Sequence, residues 1–538
     1  MLGGLNLVSD DLHLFGMEFG TTFLYTLLKY ILSVHVFSPL FTHNLYATHI
    51  KIKSCFLLQD DSDVMTYNEG DVEMGISFKI AATMDNLEQA METPGFNTDS
   101  IFDLFTGDLV TGVDGKKYCR GGVGPTIEGM LGRPGQYKST FNCSMAMRMC
   151  SIYQTELIIF DSELTIIKNK DRILEMAGDH KGVLDADNII ALDAKNKYDL
   201  ESMREIIEEM GEKKLAMKAS DLYFTTPFLD RNGERVKMMR PTVIFIDSWS
   251  NCKSREEMSK ITDKGLDDST AKTLYMLDAN KKTLLMRVLN GYASKYGMSF
   301  FTTAHYGPKL NMDPYAPNPK VLQWGSTSES AKNVGGKYQF YTDPQILIES
   351  CSKLQDDAKQ CKYKLGEMTS PVELNEILLK AQRGKGNSSG VLHPFVVSQE
   401  VGFVSECTDY RYLRDTGKGF SMTGNNITHQ PFLMPDVNLT RNSFRGICQK
   451  DHRVVRALQL GAQWLYIQNN WSSRGWDFSP KQDPKKLVDF LMSDKSPYTV
   501  DRILNSRGYW LPDELITDDT PEYLGIYDIL QMYAKSQS

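Results

Sequence analysis

Paired cysteines are the first thing missing. Nine cysteines stand singly at 55, 119, 143, 150, 252, 351, 361, 407 and 448, an odd number with no C-x-x-C spacing. That excludes the close pairs of a zinc or thioredoxin-type site and points to free thiols in a reducing compartment, the cytoplasm. Charge of one sign is missing too. Lys+Arg 60 against Asp+Glu 68 leave a formal net charge of -8. This excludes a uniformly basic nucleic-acid coat but leaves room for a local basic stripe, which is what phosphate binding requires. There is no internal repeat and no low-complexity tract. Long hydrophobic runs are scarce. The one odd apolar stretch, residues 13–41, is interrupted by Lys29 and His35 and has an acidic N-terminal flank, so no membrane span is expected. The stretch reads instead as a buried helix or as an extension upstream of a start at Met65 or Met74.

What is present is ordinary globular material, 41% hydrophobic and 24% charged over 538 residues, enough for several domains and at least one sizeable core. The chain divides into four regions. Residues 1–64 form the atypical leader. Residues 65–118 read as an N-terminal linker or oligomerisation region, with a helical pattern at Met84–Met91 and turns at Pro94-Gly95 and Asp114-Gly115. Residues 119–400 alternate strand and helix patterns, which predicts an α/β core with a twisted, mostly parallel sheet and helices on both faces. Residues 401–538 form a less regular C-terminal region. Its Trp464, Trp471 and Trp476 read as a packed aromatic core, with a base-stacking surface as the alternative.

Four short apolar runs mark buried parallel strands: Ile127–Leu131, Leu157–Phe160, Val243–Ile246 and Ser299–Thr303. Ligands of open α/β sheets bind at the carboxyl ends of such strands, so the polar residues that follow each run are the site candidates. The first run leads into Gly132, Arg133, Pro134, Gly135, Gln136, Tyr137, Lys138, Ser139 and Thr140, then a helical pattern from Phe141 to Met149. This is nearly G-x-x-x-x-G-K-[ST], with Tyr137 where the second glycine belongs. Gly132 and Gly135 would let the backbone turn its N–H groups toward phosphate, and the helix N-terminus adds positive partial charge. Lys138 would reach the β- and γ-phosphates of ATP, and the Ser139 hydroxyl would ligate Mg²⁺. Glu163, after the second run, is placed to polarise a water. Asp247, after the third, has the form of a metal-supporting Walker B acid. His305, after the fourth, could sense the γ-phosphate.

Each motif has a plainer alternative: a strand–turn–helix with a chance Lys-Ser, a solvated loop acid, a turn Asp, a half-exposed structural His. Together and in this order they resemble the RecA recombinase superfamily, and within it the UvsX recombinases of T-even-type phages. The segments carrying the likeness are LFTGDLVTG at 104–112, GRPGQYKST with its aromatic-Lys-Ser ending, FDSE at 160–163, FIDS at 245–248 and AHYG at 304–307. It covers roughly residues 100–450.

The resemblance implies a RecA-like P-loop ATPase core and a DNA-dependent ATPase that forms a helical filament on single-stranded DNA. Such an enzyme pairs the strand with homologous double-stranded DNA and exchanges strands, in recombination, repair and replication. It implies DNA-binding loops over about Tyr306–Lys320 and Trp324–Lys337, carrying Lys309, Lys320, Trp324, Lys332, Gly335, Gly336 and Lys337. It implies that Arg383 and Lys385 act in trans on a neighbouring protomer's ATP, although Arg stands where the family has Lys, and a basic linker strand is the alternative. A loader, a single-strand-binding protein and, for a phage protein, the host cytoplasm belong to the same expectation. Two other readings stay open: a ring-forming RecA-fold DNA helicase, and a non-catalytic recombinase-like DNA-binding regulator.

Overall fold

Strands form where β-branched and aromatic residues run uninterrupted, and here those runs are buried on both faces. The computed structural model describes residues 94–537 except 108, 112–116, 120, 164–168, 194–198, 231, 265–270, 310–321, 327, 366–372, 385–388, 417–419, 424–427 and 471–483. The leader, the Met84–Met91 pattern, the Asp114-Gly115 turn, Lys320, Lys385, Trp471 and Trp476 therefore lie outside the described residues. The described part belongs to one unit, Thr83–Ser538.

Its centre is a ten-stranded sheet. In chain order the strands are β1 Ile127–Gly132, β2 Leu157–Asp161, β3 Ile189–Asp193, β4 Thr242–Asp247, β5 Met298–Pro308, β6 Glu329–Ala331, β7 Gln345–Lys353, β8 Leu374–Arg383, β9 Leu392–Ser398 and β10 Gly402–Phe403. The spatial order is β10-β9-β8-β7-β1-β5-β4-β2-β3, with β6 paired to the end of β5. From β7 through β1 to β3 every neighbouring pair is parallel; β7 to β10 and the β5–β6 pair are antiparallel. The protein is thus α/β with a large, mostly parallel central sheet, as its alternating patterns predict.

Side-chain alternation along the strands separates two cores. Leu157, Ile159, Val243, Phe245 and Phe301 face one side. There they meet helix α1, Lys138–Tyr153, which is buried nearly all round and packs Phe141 against Phe395 with ring centroids 5.2 Å apart. Ile158, Phe160, Ile244, Ile246 and Phe300 face the other side, where α2, Leu200–Leu215, and α3, Ala271–Tyr296, supply Met203, Ile207, Met286 and Leu289. The α2 start is fixed by Asp199, whose side chain accepts from Ser202 N.

The C-terminal region packs on the α1 side. Trp464, on α4 His452–Asn470, is buried there, as a core aromatic rather than a surface platform. Trp510 Nε1 donates to Gly95 O at 2.9 Å, joining residues near both ends of the described chain. Strand β10 places residues beyond 400 within the central sheet itself. Among the described residues no helix is long and apolar enough to cross a membrane.

Two elements exceed their sequence signals. Strand β5 runs to Pro308, so His305 lies within a strand rather than past its end. Its extension is held by β6, with Tyr306 opposite Ala331 and Pro308 opposite Glu329. The second expected DNA loop is accordingly part strand, and a short helix, Tyr338–Tyr341, follows Lys337.

Candidate active site

Parallel strands β1, β4 and β2 end side by side against the middle of β5, which runs past them, and the polar side chains gather there. The turn from β1 into α1 spans residues 133–137. Gly135 has φ +77°, a conformation that side chains disfavour. A Cβ on Gly132 would stand 3.0 Å from Lys138 Cγ, so glycine there lets the lysine stem fold over the turn. Lys138 is buried, and its Nζ donates to Arg133 O at 3.1 Å. Burial lowers its pKa, with Asp247 and Glu163 pulling the other way. Gln136 Oε1 accepts from Arg133 N at 2.6 Å, bracing the turn across its mouth.

Tyr137 explains the motif's departure from pattern. Its backbone sits at φ 62°, ψ 22°, the left-handed region that a glycine would occupy freely. A non-glycine residue there costs about 1–2 kcal/mol. The ring offsets this by packing on the core, and its hydroxyl accepts from Asn375 Nδ2 at 2.9 Å. The aromatic residue thus ties the β1–α1 turn to β8.

At the end of β4, beside the middle of β5, lies the acid centre. Ser139 Oγ donates to Asp247 Oδ1 at 2.8 Å, and the Thr303 hydroxyl donates to the same oxygen. Asp247 Oδ2 is buried without a hydrogen-bond partner. Burial raises the Asp247 pKa to about 6, against the opposing hydrogen bonds from Thr303 and Ser139. A buried carboxylate oxygen with no donor, beside a serine hydroxyl, suits a hard cation with oxygen ligands. Thr140 Oγ1 instead takes a bond from Arg172 Nη2 at 3.3 Å.

Glu163, two residues past β2, is held at one oxygen. Its Oε1 accepts from Ser248 Oγ at 2.8 Å and Asn251 Nδ2 at 2.8 Å, and stands 3.3 Å from His305 Nε2. The candidate base and the candidate sensor are therefore in direct contact. His305 leads on into the next segment: its N–H donates to Ser250 Oγ, and its carbonyl accepts from Lys332 N at 2.8 Å. Buried Lys282 bonds Asn333 O at 2.8 Å, and Trp249 Nε1 bonds Val334 O at 3.0 Å, fixing the chain just before Gly335 and Gly336.

The other expected residues are spread around this centre. Arg133 is exposed and its Nη2 pairs with Glu329 at 2.6 Å, joining the β1–α1 turn to β6. Pro134 is exposed. Lys309 bonds Ser326 O at 3.2 Å, Lys332 bonds Pro308 O, and Lys337 is exposed. Trp324 lies over Gly390 in the β8–β9 connection. Arg383 ends β8, with Nη1 on Gln339 O at 2.6 Å.

Sequence reasoning missed Thr303, Ser248, Asn251 and Arg172. The signals for the first three existed: a threonine inside an apolar strand, and the polar DSWSN run directly after one. Also missed was Glu128, fully buried on β1 with neither carboxylate oxygen hydrogen-bonded; burial raises its pKa to about 8. No protein-family model matches the chain, and no curated protein is significantly similar to it.

Proposed function

We propose that the chain is a RecA-like P-loop ATPase that hydrolyses Mg-ATP in response to DNA and acts as a recombinase. It would form a helical filament on single-stranded DNA and pair that strand with a homologous duplex. The observation that carries the ATPase reading is the convergence of the β1–α1 turn, the Ser139–Asp247–Thr303 cluster and the Glu163–His305 pair where β1, β4 and β2 end against β5. The DNA-pairing step rests on the family resemblance of the sequence.

In this reading Lys138 and the backbone N–H groups of the turn hold the phosphates of ATP. Ser139 and Asp247 would hold Mg²⁺, which when bound would neutralise phosphate charge. Glu163 orients the attacking water and takes its proton as the bond to the γ-phosphorus forms and the bond to the ADP oxygen breaks. Its Oε1 is fixed by Ser248, Asn251 and His305, so Oε2 is the oxygen that meets the water. His305 shifts with Glu163 and pulls on the segment from β6 to Lys337, a coupling of nucleotide state to loop order. Arg383 and Lys385 would act on a neighbouring protomer's ATP.

The test is steady-state ATP hydrolysis by the full chain with and without single-stranded DNA, with Lys138→Ala as control. Stimulation by the strand that is absent in the variant supports the reading, and filaments on DNA in electron micrographs complete it. DNA-independent turnover points to another motor of this fold. Nucleotide binding without turnover points to a regulator.

A further inference from the structure

One cation beside the β1–α1 turn has no part in the chemistry described so far. Arg172 lies on the short helix Lys170–Glu175, which Asn169 caps by accepting from Arg172 N at 3.0 Å. Its side chain reaches α1, where Nη2 donates to Thr140 Oγ1 at 3.3 Å. Its Nε donates to Gln399 O, in the β9–β10 turn, at 2.8 Å. Three segments distant in sequence thus fix one guanidinium. These bonds use two of its five N–H donors. Both hydrogens of Nη1 and one of Nη2 are left, and among the described residues no carboxylate pairs with the group. A half-buried cation held by neutral acceptors alone keeps its charge uncompensated, and an anion would compensate it. The planar fork suits phosphate oxygens.

Position identifies the anion. Helix α1 starts at Lys138, so the N–H groups of its first turn have no intrahelical partners. Ser139 Oγ faces Asp247, on the side where the proposed function places the γ-phosphate. Thr140 follows about 100° further round the helix and meets Arg172 instead. Burial and Asp247 push the thiol of Cys143, one turn deeper in α1, up to about 12, while Arg172 pulls it down. The same end of α1 therefore has its acids on one side and this guanidinium on another. With Lys138 on the β- and γ-phosphates, the α-phosphate is the one left without a side-chain cation.

We infer that Arg172 binds the α-phosphate of the nucleotide, with Nη1 donating to one non-bridging oxygen while Thr140 and the Gln399 carbonyl hold the guanidinium. This rests on the nucleotide site proposed above. The contact acts on ATP and ADP alike, so it sets affinity for both and takes no part in sensing the γ-phosphate.

The test measures equilibrium binding of four nucleotides with Mg²⁺ by the full chain: ATP, ADP, and the two diastereomers of ATP that carry sulfur at one or the other non-bridging α-oxygen. Sulfur is the poorer acceptor, so wild type should prefer one diastereomer. Arg172→Gln should weaken ATP and ADP alike by about ten- to a hundredfold, the size of a lost charge-assisted hydrogen bond, and bring the two diastereomers to similar affinity. Arg172→Lys keeps the charge without the fork and should give a smaller loss with a reduced preference. It serves as the second route if thermal unfolding shows that Arg172→Gln does not fold. A loss confined to ATP would put Arg172 on the γ-phosphate and overturn the assignment. A loss on both nucleotides with the diastereomer preference intact would make the residue a stacking partner of the base or a tether between segments, which also overturns it. So would a wild type that does not distinguish the diastereomers. Unchanged affinities in both variants overturn this inference alone. A wild type that binds none of the four overturns the nucleotide site and the inference with it.

Discussion

Ser139 and Asp247 are 108 residues apart in sequence, yet the serine hydroxyl donates to the aspartate Oδ1 at 2.8 Å. Thr303, from a third strand, donates to the same oxygen. Two hydroxyls on one oxygen hold the carboxylate in a single orientation and leave Oδ2 without a hydrogen bond. Thr303→Val keeps the shape and removes one of those donors. The expected outcome is a rise of about 10- to 100-fold in the Mg²⁺ concentration that half-saturates ATP hydrolysis, the usual size of an outer-shell effect. A magnesium titration at saturating ATP checks it, and an unchanged curve would show that Thr303 serves packing only.

Glu163 has its own set of side-chain partners, separate from those of Asp247. Glu163→Gln should keep ATP affinity and lower turnover by about 10²- to 10⁴-fold, the size of a general-base contribution. Asn251→Ala removes one of three groups on Oε1 and should lower turnover less, with KM little changed. Single-turnover hydrolysis alongside nucleotide binding distinguishes the two effects. Equal loss of binding and turnover in Glu163→Gln would place the residue in the binding site instead.

The sheet and the main polar residues of the site were legible because buried parallel strands have a strong signature. Four apolar runs located β1, β2, β4 and β5, and the acids after them are where the cluster forms. What stayed hidden depends on which strands become neighbours. Thr303 reads as an ordinary strand threonine until β5 lies beside β4. Ser248 and Asn251 gain meaning only when β2 delivers Glu163 next to them. The β5 extension was hidden for a similar reason: β6, which pairs with it, is only three residues long. Arg133–Glu329 spans 196 residues, and no local pattern announces such a pair.

Glu128 gives the fold a pH dependence. Its carboxyl is fully buried on β1, without a hydrogen bond, and its pKa is raised from 4.5 to about 8. The folded chain therefore holds a proton that the unfolded chain releases above 4.5. Stability contributed by that proton is full below pH 4.5 and is lost as pH rises through about 8. Glu128→Gln removes the titration and should raise the melting temperature by several degrees near pH 8, with little change at pH 5. Thermal unfolding of both proteins across that range checks the difference. A constant gap at all pH values would mean that Glu128 stays ionised in the fold.

Tyr137 tests whether the altered glycine position is adapted or merely tolerated. Its hydroxyl accepts the Asn375 Nδ2 hydrogen bond at 2.9 Å, and Asn375 is 3% exposed. Tyr137→Phe keeps the ring and the left-handed backbone but removes this acceptor. The expected cost is about 1–3 kcal/mol, because a buried amide donor loses its partner. Tyr137→Gly restores the usual motif and relieves about 1–2 kcal/mol of backbone strain, but it also discards the ring's packing. The glycine variant should therefore be less stable than wild type while its phosphate turn remains able to bind ATP. Urea denaturation and nucleotide binding on the three proteins decide the point. If Tyr137→Gly is the most stable of them, the tyrosine is a burden on the fold, and its place in the turn must be explained by what it contacts during nucleotide binding.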